Sequence, residues 1–402
     1  MFYILSFTFF LLGLRAYKNI IPFVIFIFTL PFGNAFSEYF YKSGLYSYDF
    51  FFFAIIALQC VKAIQSGKLM VLPVLQLIGY LVVFLYFFFG AYLYDLTVYF
   101  VRDLRLFLFL IYLSTIYSIL RGVKFKTLKS SYFYLLISFG GGGNLIILAL
   151  SFYGFFSFDD GFYSQNSFRY FDLVTYVCSI FLIFHSPVKP SNLYLLAFLI
   201  AALCVLVSGI RVLILMTVLF FLIRRLHTYN MFIKIIALAI FLIILTPFLD
   251  LGNTSTLLNR ISDLSVDVVL LQFYTRYSPF FSLIESFEWY NYFIGKGFGT
   301  TFFIPWFEYR ETKDELNNFI DSTYLTLYAK FGIISILYVF SVIFSFLRIA
   351  EFTNLKDKYI LVFYCCVLML VYSLPYQASS IGLIIGFFLI NIGRTTSNDD
   401  KA

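Results

Sequence analysis

Several arginines in this chain stand where charge is costly, and that is where its chemistry is to be sought. Arg211 lies between two apolar runs in Leu-Val-Ser208-Gly209-Ile210-Arg211-Val-Leu-Ile-Leu, and the apolar residues separating it from Arg224 are too few to span a bilayer. The helix must therefore extend through Arg211 and carry its guanidinium to the outer surface. There it either snorkels or binds an anionic, lipid-linked substrate, because a guanidinium can clamp phosphate oxygens bidentately. Arg276 opens Arg276-Tyr-Ser-Pro-Phe-Phe-Ser-Leu-Ile-Glu285-Ser-Phe-Glu288-Trp289, whose apolar spacing predicts an amphipathic helix on the outer leaflet with Arg276, Glu285 and Glu288 near its polar side. Arg169 stands at the mouth of another helix. Arg102 and Arg105, three apart and so on one helix face with Asp103 between them, either line a polar groove, where they are candidate substrate-binding residues, or flank a short span.

Other motifs carry less. Gly295-Lys296-Gly297-Phe298-Gly299 does not match the dinucleotide fingerprint and predicts a tight turn across the outer surface. The doublet Asp159-Asp160 is weak as a metal-holding pair and is expected to be solvated. Gly140 to Gly143 would permit close helix packing within the membrane. The five cysteines, Cys60, Cys178, Cys204, Cys365 and Cys366, fall inside apolar runs without metal-ligand spacing, and His185 and His227 stand beside basic loops, so neither type is expected to do chemistry.

The elements that position these residues are set by composition. Of 402 residues 62% are apolar and 12% charged, with 57 Phe and 33 Tyr, a balance that a soluble core with a solvated shell could not hold. The fold class expected is all-α, a polytopic integral membrane helix bundle treated as one domain over residues 1–402, with roughly 12 or 13 transmembrane segments, several of them shorter than the about 20 residues that a full span needs. Its apolar runs are Phe2–Leu14, Ile20–Phe36, Asp49–Ile64, Leu69–Tyr92, Val98–Leu120, Tyr132–Phe155, Phe171–Phe184, Leu193–Val207, Val212–Ile223, Ile233–Leu249, Thr323–Phe346, Ile360–Tyr372 and Ile381–Ile392. The first run is followed by Arg15 and Lys18 and then by a second apolar run, so it is expected to be retained rather than cleaved.

Alternate connections are basic, from Arg15 and Lys18 through Lys62 and Lys68, Arg121 to Lys129, Lys189, Arg224 to Lys234 and Arg348 to Lys358 to Arg394. Placing all of them inside leaves the C-terminus cytoplasmic and the mixed, polar stretch of residues 250–322 as one large outer loop. The net charge of +7 thus reports orientation, and no nucleic-acid partner is expected.

In chain order the Ser208-Gly209-Ile210-Arg211 turn, the arginine-led segment from Arg276, the Gly295-to-Gly299 turn and Asp321-Ser-Thr-Tyr-Leu-Thr-Leu-Tyr-Ala-Lys-Phe-Gly332 resemble the Wzy/WaaL superfamily of O-antigen polymerases and ligases, over roughly residues 200–335. In the ligase branch the position of Asp321 is commonly a histidine, so the resemblance favours a Wzy-type O-antigen polymerase. It implies glycosyl transfer between undecaprenyl-pyrophosphate-linked glycans at the periplasmic face of a bacterial inner membrane. Arg211, Arg276 and Arg169 would bind pyrophosphate, and Asp321, Glu285 or Glu288 would receive the acceptor's proton, Asp321 foremost. No metal or other cofactor is required, and a chain-length regulator is the expected protein partner besides the bilayer. The alternatives are an exporter of lipid-linked oligosaccharide and an O-antigen ligase.

Overall fold

The computed structural model describes residues 1–16, 18–32, 36–66, 73–93, 97–122, 130–153, 155, 170–185, 190–208, 210–225, 266–304, 315–352, 355–377 and 380–389. The apolar runs fold as helices: α1 (Phe2–Arg15), α2 (Ile21–Thr29), the single turn α3 (Ser37–Phe40), α4 (Asp49–Ser66), α5 (Val74–Leu93), α6 (Val98–Asp103), α7 (Arg105–Gly122), α8 (Ser130–Phe152), α9 (Leu173–Phe184), α10 (Asn192–Val207) and α11 (Arg211–Arg225). They continue as α12 (Val266–Glu285), the short α13 (Asn291–Ile294), α14 (Thr323–Phe331), α15 (Ser335–Ile349), α16 (Leu355–Val371) and α17 (Ser380–Leu389). Sheet is confined, among the described residues, to two hairpins, Tyr41–Lys42 with Leu45–Tyr46 and Phe302–Phe303 with Leu316–Asn317, both antiparallel. The expected run Ile233–Leu249 lies outside the described residues.

Five stretches are long and apolar enough to cross a membrane: Asp49–Ser66, Val74–Tyr92, Val98–Arg121, Ser131–Leu150 and Thr323–Ile349. This is compatible with an all-α membrane bundle. Val98–Arg121 is 78% buried whereas Asp49–Ser66, Val74–Tyr92 and Ser131–Leu150 are a third buried or less, so the first is core and the others present apolar faces outward. Phe84, Leu85, Phe88, Leu135, Phe139 and Ile146 are all exposed on those faces.

Two of these stretches are not single helices. Val98–Arg121 breaks at Leu104, between α6 and α7, and Thr323–Ile349 breaks at Gly332, whose positive φ of 55° ends α14 before a 3-10 turn leads into α15. Breaks of this kind free backbone groups, and they are tolerated in an apolar setting only where protein supplies partners. Among its described residues, run Ile20–Phe36 is helical over Ile21–Thr29, opening with Pro22 where a missing N–H costs nothing.

At the centre is α9, every residue of which is buried. Asp172 starts it with a capping box, accepting from the N–H groups of Val174 and Thr175 while Thr175 Oγ1 accepts from the Asp172 N–H. Midway, Ser179 Oγ meets Thr217 Oγ1 at 2.7 Å and the Tyr364 hydroxyl at 2.8 Å, tying α9 to α11 and α16. On α8, Gly140 and Gly141 pack against Phe28, Val174, Ile200 and the sulfur of Cys178, as close packing requires, while Gly142 and Gly143 face open space.

The helix ends gather at two poles. At one, Arg224 of α11 holds Asp357 of α16 at 2.6 Å and the Ile183 carbonyl of α9 at 2.8 Å, and the Tyr134 hydroxyl of α8 meets His185 Nε2 at 2.9 Å. At the other stand Asp49, the α6–α7 junction, the start of α14 and the end of α16.

Candidate functional site

The second pole is organised around three charged clusters, and they differ in exposure. Asp103 ends α6, where the chain turns at Leu104. Its Oδ2 accepts from the Lys330 ammonium at 2.7 Å and the Gly299 N–H at 2.8 Å, and its Oδ1 from the Asn318 amide at 2.9 Å and the Tyr376 hydroxyl at 2.8 Å. Neither Asp103 nor Lys330 has accessible surface. Four donors on one buried carboxylate make a clasp that unites α6, the glycine turn, the segment before α14, α14 itself and the turn after α16. A buried pair this well satisfied is a positioning device.

The glycine turn is shaped for the same clasp. Lys296 and Gly297 donate their N–H groups to the carbonyls of Ala329 and Lys330, and Phe298 is wholly buried against Phe331 and Phe100. At Gly295, with φ at 66°, a Cβ would lie 2.2 Å from the Lys330 carbonyl carbon, so both the conformation and the approach demand glycine. The expected turn is present, and it is docked on the end of α14.

Arg105 and Asp49 form the second cluster. The guanidinium donates to Asp49 Oδ2 at 2.8 Å, Tyr112 donates to Oδ1, and the Tyr46 N–H of the first hairpin donates at 2.8 Å. Arg105 also lies over the Tyr46 ring at 4.7 Å. Arg102, one turn earlier, is 2% exposed, with its stem beside Gly44 at the hairpin's tip. Both arginines of this pair are buried beside the hairpin of residues 41–46.

Arg276 and Asp321 form the third cluster and are the half-exposed pair. Arg276 Nη1 stands 3.8 Å from Asp321 Oδ2, with 53% of the arginine and 45% of the aspartate side chain accessible. Three elements build this corner. The Tyr277 hydroxyl of α12 donates to the Leu370 carbonyl at 3.3 Å, and Thr323, the first residue of α14, donates its N–H and Oγ1 to the Tyr372 carbonyl at 3.1 and 2.6 Å. Ser322 caps α14 by accepting from the Leu325 N–H. Asp321 is thus fixed just outside the helix, between α12 and the end of α16.

The Asp321 carboxyl is partly enclosed by α12 and the end of α16, with nearly half of its side chain accessible. Loss of hydration there raises its pKa above the ordinary carboxylate value, and the nearby Arg276 works in the opposite direction. The same enclosure raises the Tyr277 phenol, with Asp321 adding to the shift.

The other sequence candidates stand apart. Glu285 ends α12 and Glu288 follows it, both exposed; Glu285 is nine residues from Arg276, which along a helix is about 13.5 Å. Arg211 is the first residue of α11, immediately after the Ser208–Ile210 break expected from sequence, and its side chain is outside the described atoms. Arg169 and Asp159-Asp160 lie outside the described residues. Among the described residues no three His, Cys, Asp or Glu side chains cluster as metal ligands.

What the sequence did not single out is Lys330, read as part of an ordinary apolar run, along with Asn318, Tyr376 and Asp49 as its counterparts in buried polar networks. A lysine within an apolar run is itself a signal, since intramembrane charge is expensive unless paired.

The architecture and the corner at Arg276 and Asp321 describe a helical protein with membrane-length apolar helices and, among the described residues, a half-exposed ion pair at one pole of the bundle. A model described as a family of unknown function, DUF6369, matches residues 119–399, well over half of the chain, and the protein belongs to that family. No curated protein and no solved structure matches it.

Proposed function

We propose that this protein is a membrane-embedded glycosyltransferase of the Wzy type, which polymerises undecaprenyl-pyrophosphate-linked oligosaccharide repeat units into O-antigen at the periplasmic face of a bacterial inner membrane. The observation that carries this reading is the meeting of Arg276 and Asp321, far apart in sequence and half-exposed, at the pole where the Asp103–Lys330 and Asp49–Arg105 pairs are buried. A guanidinium and a carboxylate with a raised pKa are the two groups such a transfer needs.

In the reaction the bond between the donor sugar's anomeric carbon and the pyrophosphate oxygen breaks, its electron pair leaving with the pyrophosphate. A hydroxyl oxygen of the next repeat unit bonds to that carbon, and its proton passes to Asp321. Arg276, joined by Arg211 from the start of α11, stabilises charge on the departing pyrophosphate, as a bidentate cation can. Asp321 receives the proton because burial leaves its carboxylate more basic than a solvated one. This corner then faces the periplasm, the pole of Arg224 and Asp357 faces the cytoplasm, and a chain-length regulator acts alongside.

The lipopolysaccharide of a deletion strain tests this. Core bearing a single repeat unit, restored to long chains by the wild-type gene, is the expected pattern. Core with no glycan would indicate a ligase, and repeat units retained inside would indicate an exporter; either would overturn the proposal.

A further inference from the structure

We infer that residues 288–294, the turn after α12 together with α13, lie in the bilayer as an interfacial anchor, seated where headgroups meet acyl chains in the leaflet at this pole. The inference does not rest on the glycosyl-transfer reading. It starts from an exposed aromatic surface. Trp289, Tyr290, Tyr292 and Phe293 are all exposed, Trp289 with 77% and Phe293 with 56% of its surface accessible, while Asn291 between them is buried. A contiguous apolar patch of that kind marks a surface that something covers.

The neighbouring helix specifies the cover. α5 is one of the stretches long and apolar enough to cross a membrane, and Phe84, Leu85, Phe88 and Tyr92 are exposed along it. The Tyr86 hydroxyl donates to the Ile294 carbonyl at 2.6 Å, and Tyr86 stands seven residues before Leu93, the last residue of α5, about 10 Å along the helix. Nearer that end, a Cβ on Gly90 would lie 2.7 Å from the Phe298 Cβ, and one on Gly297 would lie 3.2 Å from the Phe89 ring. The turn and α13 are therefore docked beside the last two turns of α5, within its length and not beyond it. What borders the outer side of α5 at that level borders the four aromatic rings too, and for a spanning helix that is lipid.

Irregular backbone at such a depth needs partners from the protein, and it has them. Gly295 donates its N–H to the Asn291 carbonyl at 2.7 Å, and Lys296 and Gly297 donate theirs to the carbonyls of Ala329 and Lys330. The residue types fix the depth. Trp and Tyr gather where the ring meets acyl chains and the N–H or O–H stays hydrated, and the exposed Glu285 and Glu288 keep the approach to Trp289 on the water side. A platform for stacking sugars would also offer aromatic faces, but it would stand clear of the end of the span. Because α12 ends at Glu285, the anchor also ties the helix that bears Arg276 to the membrane surface.

The chain has two tryptophans, Trp289 and Trp306, so Trp306→Phe leaves a single reporter. The full-length variant is purified into nanodiscs of phosphatidylcholine brominated either near the headgroup end of its acyl chains or near their methyl end. The shallow bromine should lower Trp289 emission by about half, the deep bromine by clearly less and aqueous iodide by little, as a ring about 5–10 Å into the boundary implies. Should Trp306→Phe fail to fold, the difference in emission between wild type and Trp289→Phe carries the same readout. Emission quenched by neither bromolipid overturns the inference, whether iodide reaches the ring or protein covers it. Protection from iodide gained only on adding free oligosaccharide, released by mild acid from lipid-linked repeats, would assign the rings to sugar and overturn it as well. A deep bromine that quenches more than the shallow one would overturn the interfacial position. Each of these results is independent of whether the protein polymerises repeats.

Discussion

The ammonium of Lys330 lies 2.7 Å from Asp103 Oδ2 with neither side chain accessible, although 227 residues separate them in the chain. Breaking such a pair from one side strands a charge. Lys330→Met and Asp103→Ala should therefore each cost about 3–5 kcal/mol, read as a fall in the thermal midpoint of detergent-purified protein or in its level in membranes. The double variant Asp103→Asn with Lys330→Met should recover much of that loss, because no unpaired charge remains. A double variant as unstable as the sum of the two singles would contradict the clasp.

Arg276 and Asp321 should behave differently, since they are half-exposed. Arg276→Ala is expected to leave protein levels normal and abolish long O-antigen chains. Arg276→Lys should restore little of the activity, because an ammonium lacks the bidentate fork. Asp321→Asn should abolish polymerisation too. With the Asp321 pKa raised, polymerisation by wild type should fall with decreasing pH through a midpoint above 3.8, the ordinary value, as the proton acceptor becomes protonated. Rates measured on extracted lipid-linked repeats across acid pH would show it, and full activity in Asp321→Asn would remove the residue from the mechanism.

Glycine substitutions should divide sharply by position. Gly295→Ala meets the Lys330 carbonyl and a positive φ, for a cost on the order of 3 kcal/mol. Gly140→Ala would set a methyl group 2.4 Å from the Phe28 ring and destabilise the α2–α8 contact. Gly142→Ala and Gly143→Ala, in the same helix but facing open space, should instead stabilise it by up to about 1 kcal/mol. Thermal midpoints of the four variants would decide.

The helices were largely legible because membrane-length apolar runs leave few alternatives: Val74–Leu93 and Leu173–Phe184 fall almost where composition puts them. Less legible were the interruptions. Leu104 carries no breaking residue, and Gly332 is one glycine among several, so each run reads as a single span. At the exposed corner, Arg276 and Asp321 each stood out by charge beside an apolar helix, and folding brings them together. Asp103 with Lys330 and Asp49 with Arg105 left no local trace as pairs, since their partners are set by packing between distant helices.

The Asp103 carboxylate draws donors from Gly299, Asn318, Lys330 and Tyr376, all in the last third of the chain. During synthesis this acid enters the bundle long before any of them exists. It must wait, hydrated, until the ribosome has nearly finished, and only then can the early and late helices lock. A chain truncated before Tyr376 would leave the acid short of a donor, so the clasp makes assembly a test of completeness, with abandoned nascent chains exposed to proteolysis as the price of failing it.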